Sequence, residues 1–376
     1  MGTNSLFGGK QCTYVPPEPS LYVIDPDGDL HLKVGTGKCY ADESQLPKES
    51  LSLDCDSEHG HHHAFPIIFL VCSKALSRAS PVWKTLLYGK FVESKPSDPL
   101  AKWTVELPAD DTMAMFTILN IVHGRFECLY PSSPDFGVKR VVDLFNLAVL
   151  TDKYDLSRLL RPWISTWMQL PRDSFTKPPT PFSRVDNGHL LWIAWEMGDE
   201  GLFEKTARSV IVNHTISKKP GMFGYIPTPF GDVFAFRPEP LELRDYMEST
   251  RLERIAALLQ PYHDLLQGLT SVPYAKCYCD SGDEDTSDCH SSILGNLIRS
   301  LAEAGLWPLP EPANVEKSVV QFTNDLKNIR TYSLVHQCNA LSDSSFHEKA
   351  SVEDVQLQLR PIHTEHLARQ AAKTGL

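Results

Sequence analysis

Three thiols and an imidazole set close together are the strongest chemical signal in the chain: Cys277 and Cys279, then Cys289 and His290. They make up the ligand set of a closed structural zinc site. The spacing weighs against one, because a Cys-x-Cys pair has a tighter bite than the usual two-residue separation and His290 follows Cys289 directly. Cys338 is an alternative fourth ligand. Reduced cysteines flanking an acidic loop are the competing reading. The acidic stretch does not spell a calcium loop, since Asp280, Asp283, Asp285 and Asp288 miss the EF-hand register and the sixth position is not Gly. Ser281, with Glu284 three residues on, is a candidate site for an acid-directed kinase. A second imidazole cluster, His59, His61, His62 and His63, has good transition-metal ligands. Without fixed outer-shell partners its ring orientations are undetermined, and adventitious binding is the expectation.

Covalent and acid–base chemistry find less support. A phosphate-cradling Gly-rich loop with Lys, a Gly-x-Ser-x-Gly elbow, a His-Glu-x-x-His helix and a dinucleotide fingerprint are all missing from the sequence. Asp152 and Asp155 sit on a helical stretch but read as a solvated face. Trp192 and Trp195, near Met197, could line a groove, but core packing is the stronger reading. The chain is therefore expected to be no enzyme and to need no cofactor, with a structural zinc at the Cys/His cluster as the open alternative.

The elements that must position these groups follow from composition and periodicity. A chain of 376 residues fits about two domains. Its 42% hydrophobic and 22% charged content is that of a globular protein with a sizeable core. A formal charge of -11, with no concentrated Lys/Arg run, disfavours direct nucleic-acid binding. The longest apolar run, Phe65 to Cys72, is far below the roughly 20 residues of a membrane-spanning helix. The first 20 residues lack a basic region followed by an apolar stretch, so no secretory signal is expected. The nine scattered cysteines suggest reduced thiols in cytoplasm or nucleus.

Residues 1–20, rich in Gly, Ser and Pro, read as a disordered arm. Leu21 to Asp25, a Pro26-Asp27-Gly28-Asp29 turn, and Leu30, Leu32 and Val34 in alternation predict a β-hairpin. Residues 35–64 read as an inserted loop, Phe65 to Cys72 as a buried strand, and Ser73 as the cap of a short helix. Ser80 and Pro81 open a second helix with Val82, Trp83, Leu86 and Leu87 on one face. A strand at Lys102 to Leu107 follows, then a helix capped by Asp110 or Asp111, and further helices at Val141 to Leu150 and Leu156 to Met168. Residues 171–182, with four prolines between Pro171 and Pro181, are the expected linker. Residues 183–376 read as helical, with stripes at Leu190 to Met197, Leu202 to Asn213, Arg251 to Leu266, Ser291 to Leu306 and Val315 to Ile329. Tyr274 to Ser292 reads as a loop. The class is α+β: a small sheet flanked by helices, followed by a mostly helical C-terminal domain.

Four segments in this order resemble a BTB/POZ domain over residues 21–170: Asp25 to Gly35, Phe69 to Ser94, Trp103 to Glu127 and Val141 to Leu160, with Ser80, Leu107, Ala148, Tyr154 and Leu156 in register. The inserted loop, Trp83 in place of the commoner Phe or Tyr, and the Gly305 to Pro310 stretch resemble the divergent members of filamentous fungi. The resemblance implies a non-enzymatic adaptor or scaffold that binds protein partners. Cullin-binding members carry a hydrophobic-x-Glu triplet that Phe91-Val92-Glu93 matches, which implies Phe91 and Glu93 as partner contacts and a link between a cullin ubiquitin ligase and a substrate. Cys72 and Ser73 stand where repressor-type members have a His and a basic residue, and the Pro-rich arm cannot easily supply their dimerising helix, so homodimerisation does not carry over. A self-associating structural or transcriptional scaffold and an enzyme with an unrecognised C-terminal site are the rival readings.

Overall fold

The computed structural model describes residues 20–35, 39–40, 62–63, 66–98, 101–129, 140–174, 186–216, 233, 238–271, 287–331 and 357–376. The chain is α+β and mostly helical, with one four-stranded sheet. Its elements are β1 (Ser20–Val23), β2 (Leu30–Val34), β3 (Cys39–Tyr40), β4 (His62–His63), β5 (Ile67–Val71), α1 (Ser73–Ala79), α2 (Pro81–Tyr88), β6 (Thr104–Leu107), α3 (Thr112–Val122), α4 (Val141–Lys153), α5 (Ile164–Trp167), α6 (Gln169–Asp173), α7 (Asn187–Met197), α8 (Glu200–Asn213), α9 (Leu243–Thr270), α10 (Ser287–Glu303), α11 (Val319–Lys327) and α12 (Pro361–Thr374).

The strand order β1-β5-β2-β6 corrects the expected hairpin. β5 lies between β1 and β2, parallel to the first and antiparallel to the second. The intervening segment is bonded to β5 at both its ends, Ile24 and Asp25 donating to the Leu70 carbonyl and Asp29 to that of Val71, while Asp27 and Gly28 donate to Asp25 within the turn. Leu30, Leu32 and Val34 are buried at every second residue, as are Phe69 and Val71, the period expected of a sheet with one face on a core. The rings of Tyr22 and Phe116 meet edge-on at 5.1 Å, joining β1 to α3. Part of the 35–64 insertion is also ordered, since β3 and β4 pair antiparallel.

Ser73 does not cap α1. It is the first helical residue, and the carboxylate of Asp29 accepts from both its N–H and its hydroxyl at 2.8 Å, so the cap comes from the turn after β1. Burial pushes the Asp29 carboxyl up, but these bonds and the Lys95 ammonium outweigh it and hold it below the usual range. Asp111 caps α3 by accepting from Ala114, while its neighbour Asp110 turns inward and accepts from Lys153 and the Tyr154 hydroxyl. The stripe from Leu156 to Met168 is not one helix. A 3-10 turn at Ser157–Leu160 precedes α5 and α6; Pro162 has no N–H for a helical ladder.

Two compact units divide the chain: 1–185 with 192–199 and 366–376, and 186–191 with 200–365. This differs from a boundary in a 171–182 linker, because residues after it return to the first unit. Of that stretch, Pro171 lies in α6, and 175–182 fall outside the described residues. The first 19 residues lie outside them too.

In the second unit the stripes pack as helices should. Ile255, Leu258, Leu259, Tyr262, Leu265 and Leu269 of α9 form one core with Ile293, Leu297 and Leu301 of α10 and Val319, Phe322 and Leu326 of α11. Arg251, also on α9, is buried and donates to the carbonyls of Val315 and Lys317, both at 2.8 Å.

Ser80 joins three elements of the first unit. Its hydroxyl oxygen accepts from Trp83 N–H as the α2 cap and its proton goes to the Tyr154 carbonyl at 2.6 Å, all with the residue buried. Ser80→Ala is expected to cost about 1–2 kcal/mol in chemical denaturation. Ser77→Ala, at an exposed hydroxyl bonded to Lys74 O, should change little.

Candidate interaction surface

After α2 the chain makes a tight turn whose polar groups are nearly all tied inward. Gly89 closes the helix by donating to Thr85 O at 2.9 Å, and a Cβ there would lie 2.3 Å from the same oxygen. Only glycine fits this crossing. Beyond it, Phe91 N–H donates to the Ser94 hydroxyl, Ser94 N–H to Phe91 O, and the Ser94 hydroxyl to Leu86 O. Lys95 N–H donates to Leu87 O at 2.9 Å, and the Trp103 indole N–H donates to Glu93 O at 2.9 Å. The main-chain carbonyl of Glu93, rather than its carboxylate, is therefore a fixed part of the scaffold.

At the tip of this pinned turn the apolar side chains face water. Phe91 is 55% exposed and Val92 100%. Phe91 therefore does not close a core. On the adjoining helix, Tyr88 and Val82 are exposed as well, while Trp83 and Leu87 on the other side are buried. Tyr88 is held edge-on against Trp103 at 6.0 Å and by its hydroxyl, 2.6 Å from that of Ser73. A rigid turn presenting apolar side chains beside one carboxylate has the makings of a protein-binding anchor.

The other candidate residues fall elsewhere. Cys277, Cys279, Ser281, Cys338, His59 and His61 lie outside the described residues. His62 and His63 form β4. Cys289 and His290 are both buried in α10, which begins within the expected 274–292 loop, and Cys289 packs in the core of the second unit. Among the described residues no group of three or more His, Cys, Asp or Glu could hold a metal ion. Trp192, Trp195 and Met197 are buried, Trp195 stacked on His366 at 3.7 Å. An open hollow of about 510 Å³ is lined by Val23, Ile24, Asp25, Pro26, His123 and Arg125. Its polar side chains are occupied by structure. His123 Nε2 accepts from Cys72 N–H, which leaves Nδ1 to donate to Leu119 O, and Arg125 donates to the Val23 and Ile24 carbonyls.

Comparison with family models, with curated proteins and with solved structures gives no match. No helix among the described residues is long and apolar enough to cross a membrane.

One buried carboxylate escaped the sequence reading. Glu196 is 1% exposed and accepts from the Ser157 hydroxyl and from Gln370 Nε2 at 2.6 Å. It has no ion-pair partner among the described residues. Beside it Gly198, at φ 81°, lies so close to α12 that a Cβ would meet Ala371 N at 2.2 Å, and Thr374 donates to Met197 O at 2.7 Å. A glutamate inside Leu190-Leu191-Trp192-Ile193-Ala194-Trp195-Glu196-Met197 was the available signal. Burial pushes its carboxyl up to about 7; Asp152 adds to this, and the Ser157 and Gln370 bonds and Lys373 oppose it. Lys373 itself pairs with Asp155, which also pairs with Arg158, and the Asp152 carboxyl is likewise raised by burial. Arg172 pairs with Asp199 at the turn beyond.

A raised carboxyl favours the folded state while protonated. The contribution of Glu196 is complete below its ordinary value of 4.5, shrinks as pH rises through about 7 and is absent above. Chemical denaturation at about pH 5 and about pH 8 should show a loss on the order of 3 kcal/mol from this group. Glu196→Gln, which keeps the shape without the charge, should flatten that dependence.

Proposed function

We propose that this chain is a non-enzymatic protein-interaction adaptor working inside the cell, with a BTB/POZ-like first unit that engages one protein partner through the turn bearing Phe91, Val92 and Glu93. The observation that carries it is the exposure of Phe91 and Val92 on a turn whose backbone is held by Ser94, Lys95 and Trp103. Contiguous exposed apolar surface marks interaction sites, and Tyr88, Phe91 and Val92 expose theirs close together in the sequence. The BTB/POZ resemblance supports the same face, since the cullin-binding triplet of that family falls on these residues. On this reading the helical second unit presents another partner, and a cullin is the first candidate for the turn.

A second reading has its own observation. Among the described residues β1 is an edge strand of the sheet with Leu21 and Val23 exposed on it, and an edge strand bearing exposed apolar residues is a template for a second chain. That favours a self-associating scaffold.

A pull-down from cell extract with the intact chain should recover a cullin. A Phe91→Ala/Glu93→Ala variant with unchanged circular dichroism and thermal unfolding should lose it, with truncation of the aromatic anchor costing about 2 kcal/mol, or roughly thirtyfold in affinity. Recovery of no cullin by wild type, together with a concentration-dependent dimer by sedimentation that Leu21→Lys abolishes, would favour the self-associating scaffold.

A further inference from the structure

We propose that the surface formed by Tyr88, Phe91 and Val92 takes an acidic amphipathic protein segment, one whose apolar side chains are flanked by carboxylates; this rests on the reading of that turn as an interface and adds the chemistry of the partner. The chain carries a formal charge of -11, yet Lys74, Arg78, Lys84, Lys90 and Lys95 fall within residues 73–98 against only Glu93 and Asp98. All five basic side chains are exposed. Lys95 pairs with Asp29 and lies over the Trp103 ring. Among the described residues, Lys74, Arg78, Lys84 and Lys90 form no ion pair. Lys84 stands one helical turn before Tyr88, and Lys90 immediately precedes Phe91, so uncompensated cations flank the apolar tip.

Solvent screening makes this local excess matter more than the total. With a Debye length of about 8 Å at physiological salt, a narrow segment docked on the tip feels the nearby lysines and little of the distant carboxylates. Glu93 beside the tip faces any ligand there and is outnumbered by the flanking lysines. A lipid surface or a nucleic acid, by contrast, is broad and uniformly anionic, and its footprint would also meet Asp98 and the acidic remainder of the chain. The apolar centre is what a phosphate backbone cannot use. An apolar segment with Asp or Glu on its flanks satisfies both features, the anchors by burial and the cations by charge complementarity.

The test is a random-peptide phage library panned on the intact chain at low salt, with a folded Phe91→Ala/Val92→Ala variant used for counter-selection. Selected sequences should join apolar residues to Asp or Glu. Their affinity should fall about tenfold on added salt and about tenfold in Lys84→Glu/Lys90→Glu. Sequences that need Phe91 and Val92 but are neutral or basic, and indifferent to the charge reversal, would overturn the acidic partner and leave the interface reading standing. Failure to recover any sequence dependent on Phe91 and Val92 would overturn both. Vesicles of phosphatidylcholine with phosphatidylserine complete the design: co-sedimentation that the charge reversal abolishes, without selection of acidic peptides, would overturn the proposal in favour of a lipid surface.

Discussion

The hydroxyl of Ser80 is the point on which the first unit's helices depend. It lies where α1 ends and α2 begins, and its oxygen takes the Trp83 N–H while its proton goes to the carbonyl of Tyr154. A buried carbonyl left without a donor costs about as much as a lost hydrogen bond, so the Ser80 hydroxyl holds the turn after α4 to the start of α2. The same Tyr154 stacks on Trp83 at 4.4 Å and sends its phenol to Asp110, which also takes Lys153. Burial and the Asp110 charge both push the phenol far above its ordinary value, so it stays a donor and Asp110 stays the acceptor. The start of α2, the end of α4 and the turn before α3 are thus joined by one run of polar contacts.

Local signals with one cause were readable from the sequence. Ser80-Pro81 could only open a helix, and the alternation of Leu30, Leu32 and Val34 could only be a strand. Pairing was not readable, because a hairpin and a strand pair with a third strand inserted need the same turn residues; what differs is the partner of the donors at the ends of the turn, Ile24, Asp25 and Asp29, which is β5. The break after Leu160 was legible in Pro162 but was overridden by the six apolar residues at helical spacing around it. α12 went unseen because Pro361 to Thr374 carries few apolar residues and buries polar ones instead: His363, Gln370 and Thr374. Periodicity of hydrophobicity does not register a helix that docks through hydrogen bonds.

The same limit governs the sites. Phe91 and Glu93 were singled out by a triplet, but nothing in the sequence distinguishes an exposed Phe91 from a buried one. That depends on Ser94 and Trp103 holding the turn from either side. Glu196 lay in plain sight within an apolar run, and its partners Ser157 and Gln370 come from 39 residues before and 174 after it. Arg251 is similar: its guanidinium is solvated by carbonyls of a segment 64 to 66 residues away, and burial lowers its basicity without removing its charge. Long-range polar pairs of this kind leave no spacing to read.

The proposed interface at the turn after α2 rests on exposure combined with a backbone held in place. A mobile loop that ordered on binding would lose conformational entropy at that moment, on the order of 1–2 kcal/mol per backbone residue fixed. Here that loss has already been taken in folding, by hydrogen bonds that reach back to Leu86, Leu87 and Glu93. What is left at the tip is apolar area that gains by leaving water, about 25 cal/mol per Å². Folding draws no benefit from leaving Val92 wholly in solvent, since a polar residue there would be at least as soluble. The proposed interface is the reading under which that area would be buried by a second surface.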